Sequence, residues 1–209
     1  MPATSPPAPL RPDLLRIARL IAPGSRILDV GCGDCDLLSY LGARQEVDGR
    51  GIEISRKGVN ACVSRGLAVV QGDADNDLGE YPDKAFDTVV LSQTLQATRR
   101  PREVLRQLTR LGRRAIVTFP NFGHWRVRLQ LLAQGRMPIT ATLDATWYRT
   151  PNIHLCTIRD FVALCDSLGL NIERLETMAP GGHSIVLPRR PLAVANILAD
   201  QALFVLRRG

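Results

Sequence analysis

The sequence predicts a single α/β domain with a mainly parallel, seven-stranded sheet, helices on both faces and an antiparallel closing strand. Short β-rich runs alternate with helical stretches five times in succession, which is typical of a parallel sheet covered by helices. The last part of the chain breaks this rhythm with two strands that lack a full crossover helix between them, as expected of an antiparallel edge. A length of 209 residues suits one domain with a substantial core.

The predicted elements follow one another along the chain. Residues 12–24 show apolar residues at helical spacing, and Pro23-Gly24 ends that helix. Strands are predicted in the runs RILDV, DGRGIEI, LAVVQGD, FDTVVLS, RRAIVTF, LNIERLET and QALFVLRR. Further helices are predicted at 35–43, 56–65, 101–110, 122–134 and 157–168. We expect residues 10–209 to form one domain and residues 1–9, rich in Pro, Ala and Ser, to be a disordered leader.

Composition and charge narrow the class of protein. A hydrophobic fraction of 45% with 22% charged residues is typical of a soluble globular protein, and no apolar run is long enough to cross a bilayer. The formal net charge is +7, but the arginines are dispersed and few aromatic residues lie among them. We therefore expect a solvated surface rather than a nucleic-acid platform. A basic docking face for a protein or an anionic ligand is the alternative.

A glycine turn follows the first predicted strand, in the stretch RILDVGCGDCDLLSYLGA of residues 26–43. Asp29 lies at the end of that strand, and Gly31 and Gly33 allow positive φ and close approach of a ligand to backbone N–H groups. The pattern is incomplete as a dinucleotide fingerprint because position 36 is Asp, and no Gly-Lys-Ser/Thr follows for a P-loop. The turn alone is therefore weak evidence of a nucleotide site.

Two further acids strengthen the prediction. Glu53 ends the second predicted strand about 20 residues after the glycines, where an acid can bind both ribose hydroxyls, and Asp73 ends the third. Ligands of doubly wound folds bind at the carboxyl ends of the strands. Each acid alone could be a solvated loop residue or a helix cap. Together with Asp29, these residues predict a crevice for an adenosine-containing ligand.

This pattern resembles the class I S-adenosylmethionine-dependent methyltransferase fold, and the resemblance covers nearly the whole chain. It implies S-adenosylmethionine or S-adenosylhomocysteine as ligand, with Asp29 near the methionine end and Gly31 and Gly33 lining the cofactor. It also implies that Glu53 holds the ribose hydroxyls and that Asp73 lies beside the adenine amine.

The cysteines are five in number, without the spacing of a disulfide framework, which fits buried thiols in a reducing cytoplasm. Cys32-x-x-Cys35 admits a redox or zinc interpretation, but no second Cys pair or His pair at ligand spacing accompanies it. We expect no metal site, and two small residues that fill tight space in the turn. Cys35 stands where the methyltransferase family usually has a third glycine, which implies a tighter turn or weaker cofactor affinity.

A narrower resemblance is carried by long strings. LSQTLQATRRP (91–101), FPNFGHWRVRLQLLAQGRMP (119–138) and TPNIHLCTIRDF (150–161) look like the MetW family of methionine biosynthesis proteins. The resemblance implies a methyltransferase fold and partnership with MetX, the homoserine O-acyltransferase, which needs its MetW partner for full activity.

Candidate residues for methyl transfer itself are few. His124, just past the fifth strand, is the weak candidate for a catalytic base; His154, Tyr148 and Asn121 are others. A structural role for each histidine is the alternative. The stretch 119–157 holds both tryptophans and several arginines, and is either a lid over the cofactor, a docking surface or a core helix with a covering loop. We favour docking.

Three functions are therefore considered. The favoured one is a cytoplasmic accessory subunit that activates homoserine O-acyltransferase and possesses an S-adenosylmethionine pocket that senses this downstream product. The second is an active methyltransferase with a small-molecule or protein acceptor. The third, a nucleic-acid methyltransferase, rests on the net charge alone, and the sequence after the fourth strand lacks an Asn-Pro-Pro-Tyr-like motif.

Overall fold

The computed structural model describes residues 10–178, 184–187 and 192–209; the expected leader, 1–9, lies outside them. Within the described residues, the strands are β1 (Arg26–Val30), β2 (Asp48–Glu53), β3 (Ala68–Gln71), β4 (Phe86–Ser92), β5 (Gly112–Pro120), β6 (Leu170–Met178), β7 (Ser184–Leu187) and β8 (Gln201–Arg208). They form one eight-stranded sheet in the order β3-β2-β1-β4-β5-β8-β6-β7. The first five strands are parallel, whereas β8 runs antiparallel to both β5 and β6, and β7 is antiparallel to β6.

The helices of the described residues are α1 (Pro12–Ala18), α2 (Asp36–Gln45), α3 (Arg56–Ser64), α4 (Pro101–Leu111), α5 (Trp125–Gln134), α6 (Ile158–Ser167) and α7 (Leu192–Leu198). Alternate residues of the central strands belong to two different apolar clusters: Val90 packs with α1 and α2, whereas Val89 and Leu91 pack with α4 and α6. Because successive side chains of a strand point to opposite faces, both faces of the sheet are covered by helices, as predicted.

The α/β architecture and the antiparallel closing strand are confirmed, with three corrections. The sheet has eight strands rather than seven, because β7 pairs with β6 in the stretch between the last two predicted strands, LNIERLET and QALFVLRR. Helix α7 also lies in that region. Helix α1 ends at Ala18 rather than continuing to the Pro23-Gly24 pair. No helix of the described residues is both long enough and apolar enough to span a membrane.

Parallel pairing brings the carboxyl ends of β1, β2, β3 and β4 to the same edge of the sheet. Val30 is in register with Ile52, and Glu53 with Gln71, so that β1, β2 and β3 end at one edge of the sheet. Strand β4 ends at the same edge, because its Val90 is in register with Asp29. This carboxyl edge carries the glycine turn and the predicted acids.

Candidate functional site

The glycine turn connects β1 to α2 in left-handed backbone conformations. Gly31 has φ +71°, Gly33 +55° and Cys35 61°. The backbone N–H of Gly31 donates to Ile52 O at 2.8 Å, which joins the turn to β2. A Cβ on Gly31 would lie 2.5 Å from Thr94 Oγ1, so both conformation and space require glycine there.

Glu53 connects this turn to the next helix. Its Oε2 accepts a hydrogen bond from the Gly33 N–H at 2.9 Å, and its Oε1 accepts one from the Ser55 N–H at 2.8 Å. Gly58 lies so close that a Cβ there would be 2.8 Å from Glu53 Cγ. Each carboxylate oxygen keeps a further lone pair, so the buried acid retains the capacity to accept hydrogen bonds from a ligand hydroxyl.

Asp29 is 3% exposed beside the same turn. Its pKa is raised from 3.8 to about 7: burial raises it most, the positive charge of Arg11 lowers it, and the negative charge of Glu53 raises it. The protonated state is therefore well populated at neutral pH, and a cationic group bound beside Asp29 would favour the carboxylate. The structure thus brings together Asp29, Gly31, Gly33 and Glu53.

Asp73 lies one strand further along the edge and shapes its own loop. Its Oδ1 accepts from the Asp75 N–H at 2.9 Å and its Oδ2 from Asn76 Nδ2 at 2.7 Å. The backbone links it to the rest of the site, because the N–H of the preceding residue, Gly72, donates to Glu53 O at 3.1 Å. The adenine contact expected of Asp73 stays a prediction.

A cluster at the end of β4 was not identified from the sequence. Asp13, 4% exposed in the first turn of α1, accepts hydrogen bonds through Oδ2 from Arg11, Ser92 and Gln93 at 3.1, 3.2 and 3.2 Å. Gln93 has φ 54°, a conformation that is uncommon for a residue with a side chain. Ser92 ends the predicted strand FDTVVLS and Gln93 follows it, which places both at the carboxyl end of a parallel strand; this position was the signal available in the sequence.

A cleft of about 160 Å³ opens beside this cluster. It is lined by Gln93 and Pro120, at the ends of β4 and β5, and by Met137, Trp147 and Leu155 from the segment that follows α5. The segment between α5 and α6 therefore covers a small, mixed apolar and polar cavity at the carboxyl edge.

The cysteines depart from the expected pattern of independent thiols. Cys35 and Cys62 form a disulfide that joins the glycine turn to α3, and Cys32 Sγ lies 3.3 Å from Cys35 Sγ. Within the part of the chain that the structure describes, these three sulfur atoms lie within 4.8 Å of one another. Spacing along the sequence does not indicate that Cys62 pairs with Cys35, because the approach of the two residues depends on how α3 packs.

His124 and Asn121 lie in a buried polar cluster behind β5. His124 is 2% exposed, its Nδ1 is 3.6 Å from Asp200 Oδ1, and burial lowers its pKa. The Asn121 amide donates to Asn196 O and Ala199 O and accepts from the Gly123 and Ile158 N–H groups. This hydrogen bonding gives Asn121 a structural role, and His124 would need to become accessible to contact an acceptor.

The segment that follows β5 is strongly exposed. Among the described residues of α5, only Val127 is buried, while Leu132 is 86% exposed. We call α5 together with residues 135–155 the α5 surface. Its exposed apolar side chains are Trp125, Leu129, Leu131, Leu132, Met137, Ile139, Trp147, Tyr148, Ile153 and Leu155. It carries four arginines and one aspartate, so the surface is both apolar and basic.

Known sequences match this chain over most of its length. The family model described as "Methionine biosynthesis protein MetW" matches residues 11–206. A relative from Rhodopirellula baltica, the "Bifunctional methionine biosynthesis protein MetXA/MetW", is 33% identical over 181 residues, which are 82% of this chain. The match covers 29% of that relative, so the chain spans less than a third of its length.

Solved structures share the fold. A Thermotoga maritima S-adenosylmethionine-dependent methyltransferase, described as a possible histamine N-methyltransferase, matches with TM-score 0.68 at 14% identity, covering 94% of this chain and 87% of that one. The [4+2]-cyclase SpnF matches with TM-score 0.64 at 18% identity, covering 94% and 80%. At these identities the likeness establishes the fold, and the name of the second protein indicates that this fold also serves reactions other than methyl transfer.

Proposed function

Because the chain belongs to the MetW family of methionine biosynthesis proteins, we propose that it is an accessory subunit that binds and activates MetX, the homoserine O-acyltransferase. The observation that carries this proposal is the bifunctional MetXA/MetW relative, in which both names belong to one chain. Joining two proteins in one chain raises the effective concentration of each for the other, which favours partners that act in one complex.

The α5 surface supports the same proposal. An unpartnered apolar helix is unfavourable in water, and Trp, Tyr, Met and Arg are the residue types enriched at interface cores. Leu132 at 86% and Trp147 at 72% exposed are its prominent apolar side chains. Because the surface carries more arginines than acids, we propose that it contacts an apolar patch with an acidic rim on the acyltransferase.

We further propose that the carboxyl edge binds S-adenosylmethionine or S-adenosylhomocysteine. Glu53 would accept the ribose hydroxyls, the glycine turn would approach the methionine portion, and ionised Asp29 would pair with its ammonium group. The fit rests on the free lone pairs of Glu53 and on the raised pKa of Asp29, which an adjacent cation would lower. S-adenosylmethionine supplies an electrophilic methyl group when bound.

The ligand would act as a regulator if its affinity differed between the free subunit and the complex. Thermodynamic linkage then requires that the ligand change the affinity for the acyltransferase by the same factor. Titration of S-adenosylhomocysteine into the subunit, with and without the acyltransferase, tests this coupling. Equal affinities would remove the sensing proposal and leave the partnership intact.

Acyl transfer to homoserine by the cognate acyltransferase, with and without this protein, tests the proposed function. We expect a large increase in rate and co-elution of the two proteins. Unchanged rate together with separate elution would overturn the proposal.

The second candidate is methyl transfer to a small acceptor. The cleft of about 160 Å³ beside Gln93 favours it, because the cleft lies at the carboxyl edge and is lined in part by the segment 137–155. Formation of S-adenosylhomocysteine in the presence of a defined acceptor would support it.

A further inference from the structure

The Cys35–Cys62 disulfide is placed at the edge of the candidate pocket. It joins the last residue of the glycine turn to α3 across 27 positions of sequence, and both side chains have no exposed surface. The same turn donates the Gly33 N–H to Glu53, and the same helix follows Ser55, whose N–H donates to Glu53 as well. The disulfide and the Glu53 carboxylate therefore connect the same two segments.

Cys35 itself is held in an unfavourable conformation. Its φ of 61° lies in the left-handed region, where a residue with a Cβ is less stable than glycine. The bond to Cys62 limits the conformations that Cys35 can adopt. We expect loss of the bond to let Cys35 relax, and with it the turn that carries Gly33.

Reduction also requires space that the site lacks. A bonded pair of sulfurs is about 2 Å apart, whereas non-bonded heavy atoms pack at roughly 3.5–4 Å. Both thiols would have neighbours after reduction, because Cys62 Sγ lies 3.3 Å from Gly33 O and Cys35 Sγ 3.3 Å from Cys32 Sγ. Because Cys35 and Cys62 are fully buried, separating their sulfurs displaces packed neighbours, and we expect the turn or α3 to shift.

We propose that Cys35 and Cys62 form a reversible redox site that sets the affinity of the adjacent pocket for adenosine-type ligands. This inference rests on the proposed nucleoside pocket. A low-molecular-weight disulfide oxidises the two thiols by exchange and is itself reduced to two thiols. A dithiol reductant returns two electrons and two protons to the sulfurs and becomes a disulfide.

Cys32 Sγ lies 3.3 Å from Cys35 Sγ, yet its thiol is a poor internal attacking group at neutral pH. Burial, together with the negative charges of Asp29 and Glu53, raises its pKa to about 12. Its thiolate is therefore scarce at neutral pH, and the thiolate is the nucleophile in thiol–disulfide exchange. Exchange of the Cys35–Cys62 pair with external thiols therefore requires the turn or α3 to open, because both side chains are fully buried.

The first test measures the bond directly in the full chain. The protein is equilibrated with oxidised or reduced glutathione, alkylated under denaturing conditions and digested for mass spectrometry. We expect Cys35 and Cys62 in one linked peptide pair after oxidation, and both alkylated after reduction. Their alkylation in the oxidised sample would overturn the proposal, as would stoichiometric zinc held by the reduced protein.

The second test compares S-adenosylhomocysteine affinity by calorimetry in the two redox states. We expect the affinity to be about fivefold weaker after reduction. This is the change expected when one residue is no longer restrained to the left-handed conformation that the bound state requires. Cys35→Gly and Cys62→Ser both remove the disulfide. Only Cys35→Gly also places at position 35 a residue that tolerates the left-handed conformation. Cys35→Gly should bind as the oxidised protein does, because glycine tolerates the turn, whereas Cys62→Ser should bind as the reduced protein does.

Cys156→Ser is the matched control, because it removes a thiol outside this cluster and should keep the redox response. Equal affinity of the wild-type protein in both redox states would overturn the inference while leaving the pocket in place. Absence of binding in both states would instead count against the proposed nucleoside pocket.

Discussion

The carboxylate of Glu53, the last residue of β2, accepts a hydrogen bond at 2.9 Å from the backbone N–H of Gly33, twenty residues earlier in the chain. Its other oxygen accepts from Ser55. One buried acid thus fixes both the glycine turn and the start of α3, so that the pocket edge is shaped by its own hydrogen bonds.

Glu53→Gln tests this arrangement. A glutamine amide has one acceptor oxygen, and its NH₂ group would face a backbone N–H donor, which leaves a buried donor unsatisfied. We expect a loss of about 1–3 kcal/mol in the free energy of unfolding and at least about tenfold weaker S-adenosylhomocysteine binding. Urea unfolding and calorimetry measure the two effects. Glu103→Gln on α4 is the control, and wild-type affinity in Glu53→Gln would contradict the ribose assignment.

Gly31→Ala separates steric conflict from backbone conformation. The new Cβ would lie 2.5 Å from Thr94 Oγ1, in addition to the positive φ. Gly66→Ala is the matched control, because Gly66 has φ +75° and open space around its Cβ position. We expect Gly66→Ala to lower the free energy of unfolding by about 1 kcal/mol and Gly31→Ala to lower it by more, with weaker ligand binding. Equal losses of unfolding free energy in the two variants would mean that the Thr94 side chain moves aside without an energetic cost.

Asp29→Asn tests the effect of the buried acid on stability. The pKa of Asp29 is about 7 in the folded protein, against 3.8 for the ordinary group, so the folded state holds a proton that the unfolded chain has lost in this window. The contribution of Asp29 to the free energy of unfolding therefore falls as the pH rises from about 4 to about 7 and stays low above it.

The variant removes this dependence. We expect Asp29→Asn to be more stable than the wild type by a few kcal/mol at about pH 8, with the difference shrinking toward about pH 4, yet to bind S-adenosylhomocysteine less tightly. Urea unfolding across this range provides the measurement. A stability difference that does not change with pH would contradict the titration of Asp29.

Leu132→Asp tests the α5 surface. Leu132 is 86% exposed, so an aspartate there should leave the free energy of unfolding nearly unchanged while placing a charge in a desolvated interface. We expect at least about tenfold weaker binding to the acyltransferase and loss of its activation. Val70→Asp is the control, because Val70 is exposed on β3, the outermost strand at the side of the sheet opposite β7. This variant should activate the acyltransferase normally. Full activation by Leu132→Asp would exclude this surface as the contact.

The sequence predicted those parts of the fold whose signal is local. The buried strands β1, β4 and β5 are short apolar runs, and the conformational freedom of Gly31 and Gly33 marks the turn. Strand β7, with four residues, and α7 lie in a stretch rich in Pro and Gly, where such short elements produce little periodicity.

What the sequence did not predict depends on packing between distant segments. An acid at the start of a helix is ordinarily solvated, and Asp13 is buried because Ser92 and Gln93 reach it from the end of β4. Cys62 meets Cys35 because α3 packs beside the turn. Neither partner can be chosen from spacing along the chain, since five cysteines allow several pairings and polar residues are numerous.

Strand β8 has a consequence for synthesis of the protein. It lies between β5 and β6, so the sheet is closed by residues 201–208, which leave the ribosome after every strand they pair with. Until then β5 and β6 both present open edges that invite pairing with other chains. A nascent chain of this protein is therefore expected to depend on chaperones until β8 has been synthesised.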